Sequence, residues 1–445
     1  MSVGKLYKMR IGANIQGLNT ALNVWFFLAL LSLALGSAFA LYLGIARSPL
    51  ADASASFYHY LVGHVFMVLV SWLLTASIFV WFRAVDTQQT LPLAGLLFIA
   101  IGLIAYSVVA ETGTPYMNNY VPVVQNRVFF LGAAMFFAVI ATVIIGLSAS
   151  IPRYWLSSDN FEVAIAVSLM VACIMIGAQF ISFIAQPFEY DSWVTYERLF
   201  WSAGHVQQVL NGTMFVVIWY GLLHGAGIVV RHNFLHKLAN LVLIFAALVF
   251  AVAGLFIDPA SHSARVVSGV TYGISLGIPI LIHAYYVLKN LPADPIRRNA
   301  ILFSMAIFFL GIAIAYIGLD NDTRVPAHYH GTVASLTLVM MGYMYCYLLD
   351  SCPIKVSTDW ICRQLKLFGF GIVLLMSGLY AAGLFGAPRK VPTTSFTDSP
   401  VAHFFLYMLG IGTVLAVTGV AMFLFLVIRV LLRSTYGPVR TRQAL

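Results

Sequence analysis

Long apolar stretches alternate with short polar breaks along nearly the whole chain. About twelve stretches reach the roughly 20 residues that a helix needs to cross a bilayer: near 21–45, 59–83, 91–111, 128–149, 161–186, 199–224, 237–257, 266–288, 299–319, 326–349, 366–386 and 402–428. The pattern predicts an all-α polytopic membrane bundle. No low-complexity linker or clean internal repeat divides it, so residues 1–445 read as one domain. The first stretch follows a polar, basic start with no small-residue cleavage site, which makes it a retained span and not a signal peptide. Composition agrees, with 61% hydrophobic and 9% charged residues and a mean hydropathy of +0.92.

The charges in the breaks orient the bundle. With the N-terminus inside, Lys5, Lys8, Arg10, Arg83, Arg153, Arg231, Lys237, Lys289, Arg297, Arg298, Lys355, Arg363, Lys366, Arg429, Arg433, Arg440 and Arg442 fall on the inner face. Only Arg47, Arg127, Arg198, Arg265, Arg324, Arg389 and Lys390 fall outside. Both termini are therefore expected in the cytoplasm. The net charge of +9 is a topology signal more economically than a sign of nucleic-acid binding. Cys173, Cys346, Cys352 and Cys362 form no close pair with metal or redox spacing and receive no function.

Ionisable groups are costly in hydrocarbon, so the depth of each histidine is informative. His64 in span two, His205 at the start of span six, and His328 and His330 at the start of span ten all fall toward the outer leaflet, although far apart in sequence. His328 and His330 are two positions apart. At about 100° per residue they leave opposite sides of one helix, so two metal centres can flank it; one metal shared by both would want spacing i, i+4. A lone histidine on an apolar helix is more often hydrogen-bonded core than ligand, but four at one depth weigh against that reading. His59 reads as interfacial, His232 and His236 as solvated in a basic loop, and His224 and His283 as lying toward the inner side. Haem chemistry fits: a low-spin haem takes two axial imidazoles and a reactive high-spin haem takes one. His64 can pair with His330, His328 can hold the second haem, and His205 can stand on its open side. Arg389 and Lys390 suit haem propionates.

These residues resemble the catalytic subunit of the haem-copper oxidase superfamily, which includes oxygen reductases and nitric oxide reductases. Asp322-Thr323 with Ala327-His328-Tyr329-His330 resembles the tenth-helix signature, whose first histidine binds the high-spin haem and whose second binds the low-spin haem. Gly63-His64-Val65-Phe66 resembles the second-helix ligand motif, Trp201-Ser202-Ala203-Gly204-His205 the sixth-helix motif with a copper ligand, and Gly386-Ala387-Pro388-Arg389-Lys390 the propionate-binding turn. Tyr120-Val121-Pro122 through Phe129-Phe130-Leu131-Gly132 is similar to the smaller-subunit branch of the oxygen reductases. The resemblance implies two haems and a bacterial or archaeal cytoplasmic membrane, with the site toward the outer leaflet. It also implies a partner subunit whose soluble outer domain, with dinuclear copper or haem c, delivers electrons.

Departures from the pattern bear on the reaction. The tyrosine that follows the sixth-helix histidine by four residues in oxygen reductases is Val209 here, and Leu238 to Ile257 holds no replacement. Ala253 and Gly254 occupy the place of the two adjacent histidines that complete the copper site, and His262 restores one only if its loop folds back. The second metal, copper or non-haem iron, is thus left open. Gln208 stands at i+3 from His205, as a candidate ligand or hydrogen-bond donor or as part of a water-bridged polar pair. Ser268, Thr271, Tyr272 and Ser275 form a polar stripe on span eight of the kind that commonly packs helices. The leading expectation is a dihaem nitric oxide reductase. The alternatives are an oxygen reductase and a haem protein that has lost its second metal and only transfers electrons or binds gas. Twelve spans also suit a secondary carrier. Purified protein is expected to show a Soret absorbance, and its absence would establish the carrier reading.

Overall fold

The computed structural model describes residues 20–49, 56–85, 91–186, 189, 192–318, 321–351, 356–392 and 399–436. Lys5, Lys8, Arg10, Cys352, Lys355, Arg440 and Arg442 lie outside the described residues. The protein is an integral membrane bundle, with twelve long apolar helices among the described residues. They are α1 (Thr20–Arg47), α2 (Phe57–Val85), α3 (Leu91–Val109), α4 (Arg127–Ser148), α5 (Asn160–Ala185), α6 (Trp193–Gly225), α7 (Phe234–Ala253), α8 (His262–Lys289), α9 (Pro295–Gly318), α10 (Arg324–Ser351), α11 (Thr358–Leu384) and α12 (Pro400–Tyr436). A two-stranded hairpin, β1 (Thr114–Tyr116) and β2 (Val123–Gln125), joins α3 to α4 with Thr114 opposite Gln125.

All twelve predicted spans are present, but several start earlier than their apolar runs. α6 begins at Trp193, so His205 stands well inside the helix and not at its start. A hydropathy window stops at Glu197 and Arg198, whereas helix geometry continues through them. α8 begins at His262, where the Ser261 hydroxyl accepts from the Ala264 amide as an N-cap. His236, expected to be solvated, is instead fully buried. It is the third residue of α7, reciprocally capped by Asn233, and bonds Tyr220 Oη at 3.1 Å. His59, expected at the interface, is buried too, with Nε2 at 3.0 Å from the Gly113 carbonyl.

α2, α6 and α10 are the most deeply buried of the twelve, and they carry His64, His205, His328 and His330. Their buried indoles are satisfied: Trp72 donates to Thr337, Trp81 to Ser168 and Trp219 to Ser304. Two helices are not α-helical throughout. α2 passes through a π segment at Phe66–Trp72 just after His64, and α8 through one at Gly273–Gly277 just after Tyr272.

α11 and α12 lie backbone to backbone. A β-carbon on Gly371 would come 2.4 Å from Ala416 N, on Gly378 2.6 Å from Leu409 N, on Gly412 2.4 Å from Leu375 N and on Gly419 2.8 Å from Phe368 Cα. Spacing of seven on each helix keeps these glycines on one face, the small-residue packing that substitutes for a hydrophobic driving force in lipid. Gly412→Leu is expected to lower stability by about 1–3 kcal/mol or more through overpacking, read as a lower midpoint in thermal unfolding of the detergent-solubilised protein.

Candidate functional site

A cavity of about 570 Å³ opens inside the bundle, and His64, Gln208, His328, His330, Arg389 and Lys390 all line it. Each cavity histidine has its Nδ1 tied to a backbone carbonyl: His64 to Gly36 at 2.9 Å, His328 to Gly311 at 2.8 Å and His330 to Pro326 at 2.6 Å. A carbonyl only accepts, so Nδ1 carries the proton and Nε2 keeps its lone pair. Metal-ligating imidazoles are oriented in this way. Glycine makes two of these bonds accessible. A β-carbon on Gly36 would come 2.5 Å from Val68 Cγ2, and one on Gly311 3.0 Å from Gly331 Cα, so α1 closes on α2 and α9 on α10.

The rings of His64 and His330 lie 6.3 Å apart, centre to centre, and only 13° from parallel. That is too far for stacking. Imidazole binds metals at about 2.0 Å, and a ring centre lies about 1 Å from its nitrogen, so two axial imidazoles on one iron stand about 6 Å apart. The pair fits a low-spin haem. His328, tied to α9 at Gly311, stands two positions from His330 on α10 and lines the same cavity with its Nε2 left free of the Gly311 bond, so it could hold a second group there.

The turn after α11 supplies the cations. Thr323 N donates to Ala387 O at 3.1 Å, and Asp322 caps α10 through the Arg324 amide at 2.8 Å while pairing with the Arg324 guanidinium at 2.7 Å. Arg47, at the end of α1, donates to Val391 O at 2.6 Å and Pro388 O at 3.0 Å. Gly386 and Lys390 take positive φ, 84° and 60°. Three helix ends therefore shape the turn that aims Arg389 and Lys390 at the cavity. Burial, with the Arg389 charge adding, lowers the Lys390 pKa to about 8, against a smaller opposing effect of Glu197. Its Nζ donates to Asn119 Oδ1 at 3.1 Å and Met117 O at 3.3 Å.

His205 does not line the cavity. Its Nδ1 donates to Trp201 O at 2.8 Å, and its Nε2 meets Tyr120 Oη at 2.9 Å and Ser268 Oγ at 2.7 Å. Trp201, Phe250 and Tyr272 pack on the ring with centres at 4.1, 4.7 and 5.4 Å. The place of the missing histidine pair is filled as well. Ala253 is buried, and a β-carbon on Gly254 would come 2.5 Å from Ser202 Oγ. His262 is exposed at the start of α8 and is not among the hydrogen-bond partners of His205. Among the described residues no three His, Cys, Asp or Glu side chains group as a metal site. The donors around His205 fit hydroxyl partners and not a second metal.

Tyr120 and Tyr272, with Gln208 and Asn211, form the cavity wall in front of His205. The absence of a tyrosine at Val209 and within Leu238 to Ile257 does not leave His205 without a phenol: Tyr120 arrives from the β1–β2 turn and Tyr272 from α8. The signals were Tyr120-Val121-Pro122 and the stripe of Ser268 and Tyr272, which spacing alone could not bring to α6. Tyr120 is seated by its neighbours. Asn118 accepts from the Tyr120 and Val121 amides at 2.9 and 2.8 Å and donates to Val121 O. Glu197 on α6 accepts from the Asn119 amide at 3.0 Å and its side chain at 2.6 Å. A β-carbon on Gly204 would come 2.2 Å from Tyr120 Cγ, so only glycine leaves this seat open. Burial, reinforced by Glu197, raises the Tyr120 pKa and keeps the phenol protonated.

The fold is similar to that of a chain in a solved structure of a heme-copper terminal oxidase dimer, with a TM-score of 0.68 over 92% of this chain and 83% of that one at 16% identity. The chain has the heme-copper oxidase fold. In sequence it is 29% identical to an uncharacterized protein of Aquifex aeolicus (strain VF5) over 74% of this chain and 84% of the relative. It is 25% identical to an uncharacterized protein of Rickettsia prowazekii (strain Madrid E) over 92% of this chain and 95% of the relative. No protein-family model matches.

The Glu197 clamp has a direct readout. Hydrogen bonds to a charged partner are worth about 1.5–3 kcal/mol each, so Glu197→Ala is expected to speed amide exchange at Asn119, Tyr120 and Val121 by about tenfold or more. Unchanged exchange there would show that the turn is held by its own Asn118 bonds.

Proposed function

We propose that the protein is a dihaem membrane oxidoreductase of the haem-copper oxidase superfamily that reduces a small diatomic gas, nitric oxide before dioxygen. The observation that carries this reading is the facing pair His64 and His330 at 6.3 Å and 13°, beside His328 on the opposite side of the same helix. Haem iron supplies one-electron chemistry and, where one axial position is open, a seat for the gas. His64 and His330 would hold the electron-transferring group and His328 the reactive one. Arg389 and Lys390 would pair with propionates; Lys390 carries its charge below about pH 8 and loses it as the pH rises, so its hold weakens on the alkaline side. Tyr120, Tyr272, Gln208 and Asn211 face the gas.

Nitric oxide is favoured because joining two molecules into nitrous oxide takes two electrons and two protons, with water as the other product. The four-electron reduction of dioxygen asks more of a site whose second-metal donors are missing. One observation favours dioxygen as a second reading: Tyr120 places a phenol 2.9 Å from His205, the side-chain type that oxygen reductases use as an additional electron and proton source. The distribution of lysine and arginine supports termini in the cytoplasm of a bacterium or archaeon and a site toward the outer leaflet. Electrons would arrive from a partner subunit with a soluble outer domain that carries dinuclear copper or haem c.

Purified protein is expected to hold two haems. His64→Ala should remove the low-spin signature alone, and His328→Ala the high-spin one. With a chemical reductant the protein should consume nitric oxide. Fast oxygen consumption without loss of nitric oxide reverses the choice of gas, and a protein without a Soret band overturns the dihaem reading.

A further inference from the structure

We propose that Tyr120 and Ser268 exchange places on the single acceptor that His205 offers. When Ser268 holds the imidazole, the Tyr120 hydroxyl turns into the cavity and donates to the gas. The inference rests on the reading that His328 holds a haem in that cavity.

With Nδ1–H spent on Trp201 O, the neutral imidazole has one lone pair, at Nε2. Two hydroxyls reach it, Tyr120 Oη at 2.9 Å and Ser268 Oγ at 2.7 Å. One lone pair accepts one good bond, so one hydrogen must go elsewhere. Ser268 has an alternative in Ala264 O at 2.7 Å. Among the described residues Tyr120 Oη has no second hydrogen-bond partner; its alternative is the cavity that its side chain lines. In the first state Tyr120 donates to His205 and Ser268 to Ala264. In the second, Ser268 donates to His205 and Tyr120 is offered to the cavity.

The exchange needs only two hydroxyl rotations, because the heavy atoms are fixed. Trp201, Phe250 and Tyr272 confine the His205 ring, the last nearly parallel at 9°. Tyr272 Oη adds a bond to His205 O at 3.4 Å. Glu197 and Gly204 fix the Tyr120 seat. The first state makes two protein bonds and the second makes one, so the first holds until an acceptor arrives in the cavity; a bond to a charged acceptor is stronger than the neutral one given up, and that difference tips the balance. A gas gathers negative charge as it is reduced, so the phenol is offered when it stabilises the charge most. His205 and Ser268 act here as positioning residues for Tyr120.

Carbon monoxide bound to the reduced full-length protein reports a donor through its infrared stretch, which falls when a hydrogen bond reaches the ligand. Tyr120→Phe is expected to raise the band. Ser268→Ala, which leaves Tyr120 tied to His205, should raise it to the same place, and the double variant should add nothing. A band unmoved by either single variant overturns the exchange, as does a stoichiometric copper that His205→Ala removes. Wild-type protein without a carbon monoxide-sensitive Soret band overturns the haem reading and this inference together; a Soret response with an unmoved stretch overturns this inference alone.

Discussion

An imidazole inside a membrane bundle has to satisfy two nitrogens, and here every site histidine gives one of them to a backbone carbonyl. The carbonyls of Gly36, Pro326, Gly311 and Trp201 take the Nδ1 protons of His64, His330, His328 and His205. That commitment fixes the tautomer, the ring direction and the identity of the one nitrogen left for chemistry. Much of the remaining structure serves it. Helices α1 and α9 must come within hydrogen-bond reach of α2 and α10, which only glycine permits at Gly36 and Gly311.

From this common start the four histidines diverge according to what meets Nε2. His64 and His330 meet each other across a gap of haem dimensions, and His328 meets the cavity. His205 meets hydroxyls. A residue type and a shared depth therefore do not decide a role; the neighbours of the second nitrogen do. The loop over α6 matters as much as the helices, because the β1–β2 turn carries Tyr120 to His205 and Asn119 to both Glu197 and Lys390.

The helices and the three cavity histidines were legible in the sequence for a physical reason. Apolar length specifies a span, and histidines amid apolar residues stand out by their cost. The i, i+2 spacing of His328 and His330 is a property of helix geometry alone, and it survives folding intact. Three things were not legible. The start of α6 was hidden by Glu197 and Arg198, charges that hydropathy counts as a boundary but which serve the turn above and Asp258 beside it. His236 looked solvated because its partners, Tyr220, Tyr286 and His283, come from other helices. Tyr120 was visible only as part of a loop motif, since its contact with His205 spans 85 positions of sequence.

The π segment of α2 bears on how the site tolerates genetic change. A π turn contains one residue more than an α-helix needs, and it lets the half of α2 that carries His64 keep a different phase from the half that carries Trp81 and its bond to Ser168. Deleting one codon within 66–72 would barely alter hydropathy and would let the segment close as plain α-helix with His64 near its present phase, whereas adding one would have to widen the segment further or turn His64 by about 100° relative to the rest of α2. The segment, more than the identity of its apolar residues, absorbs chain length so that His64 stays opposite His330.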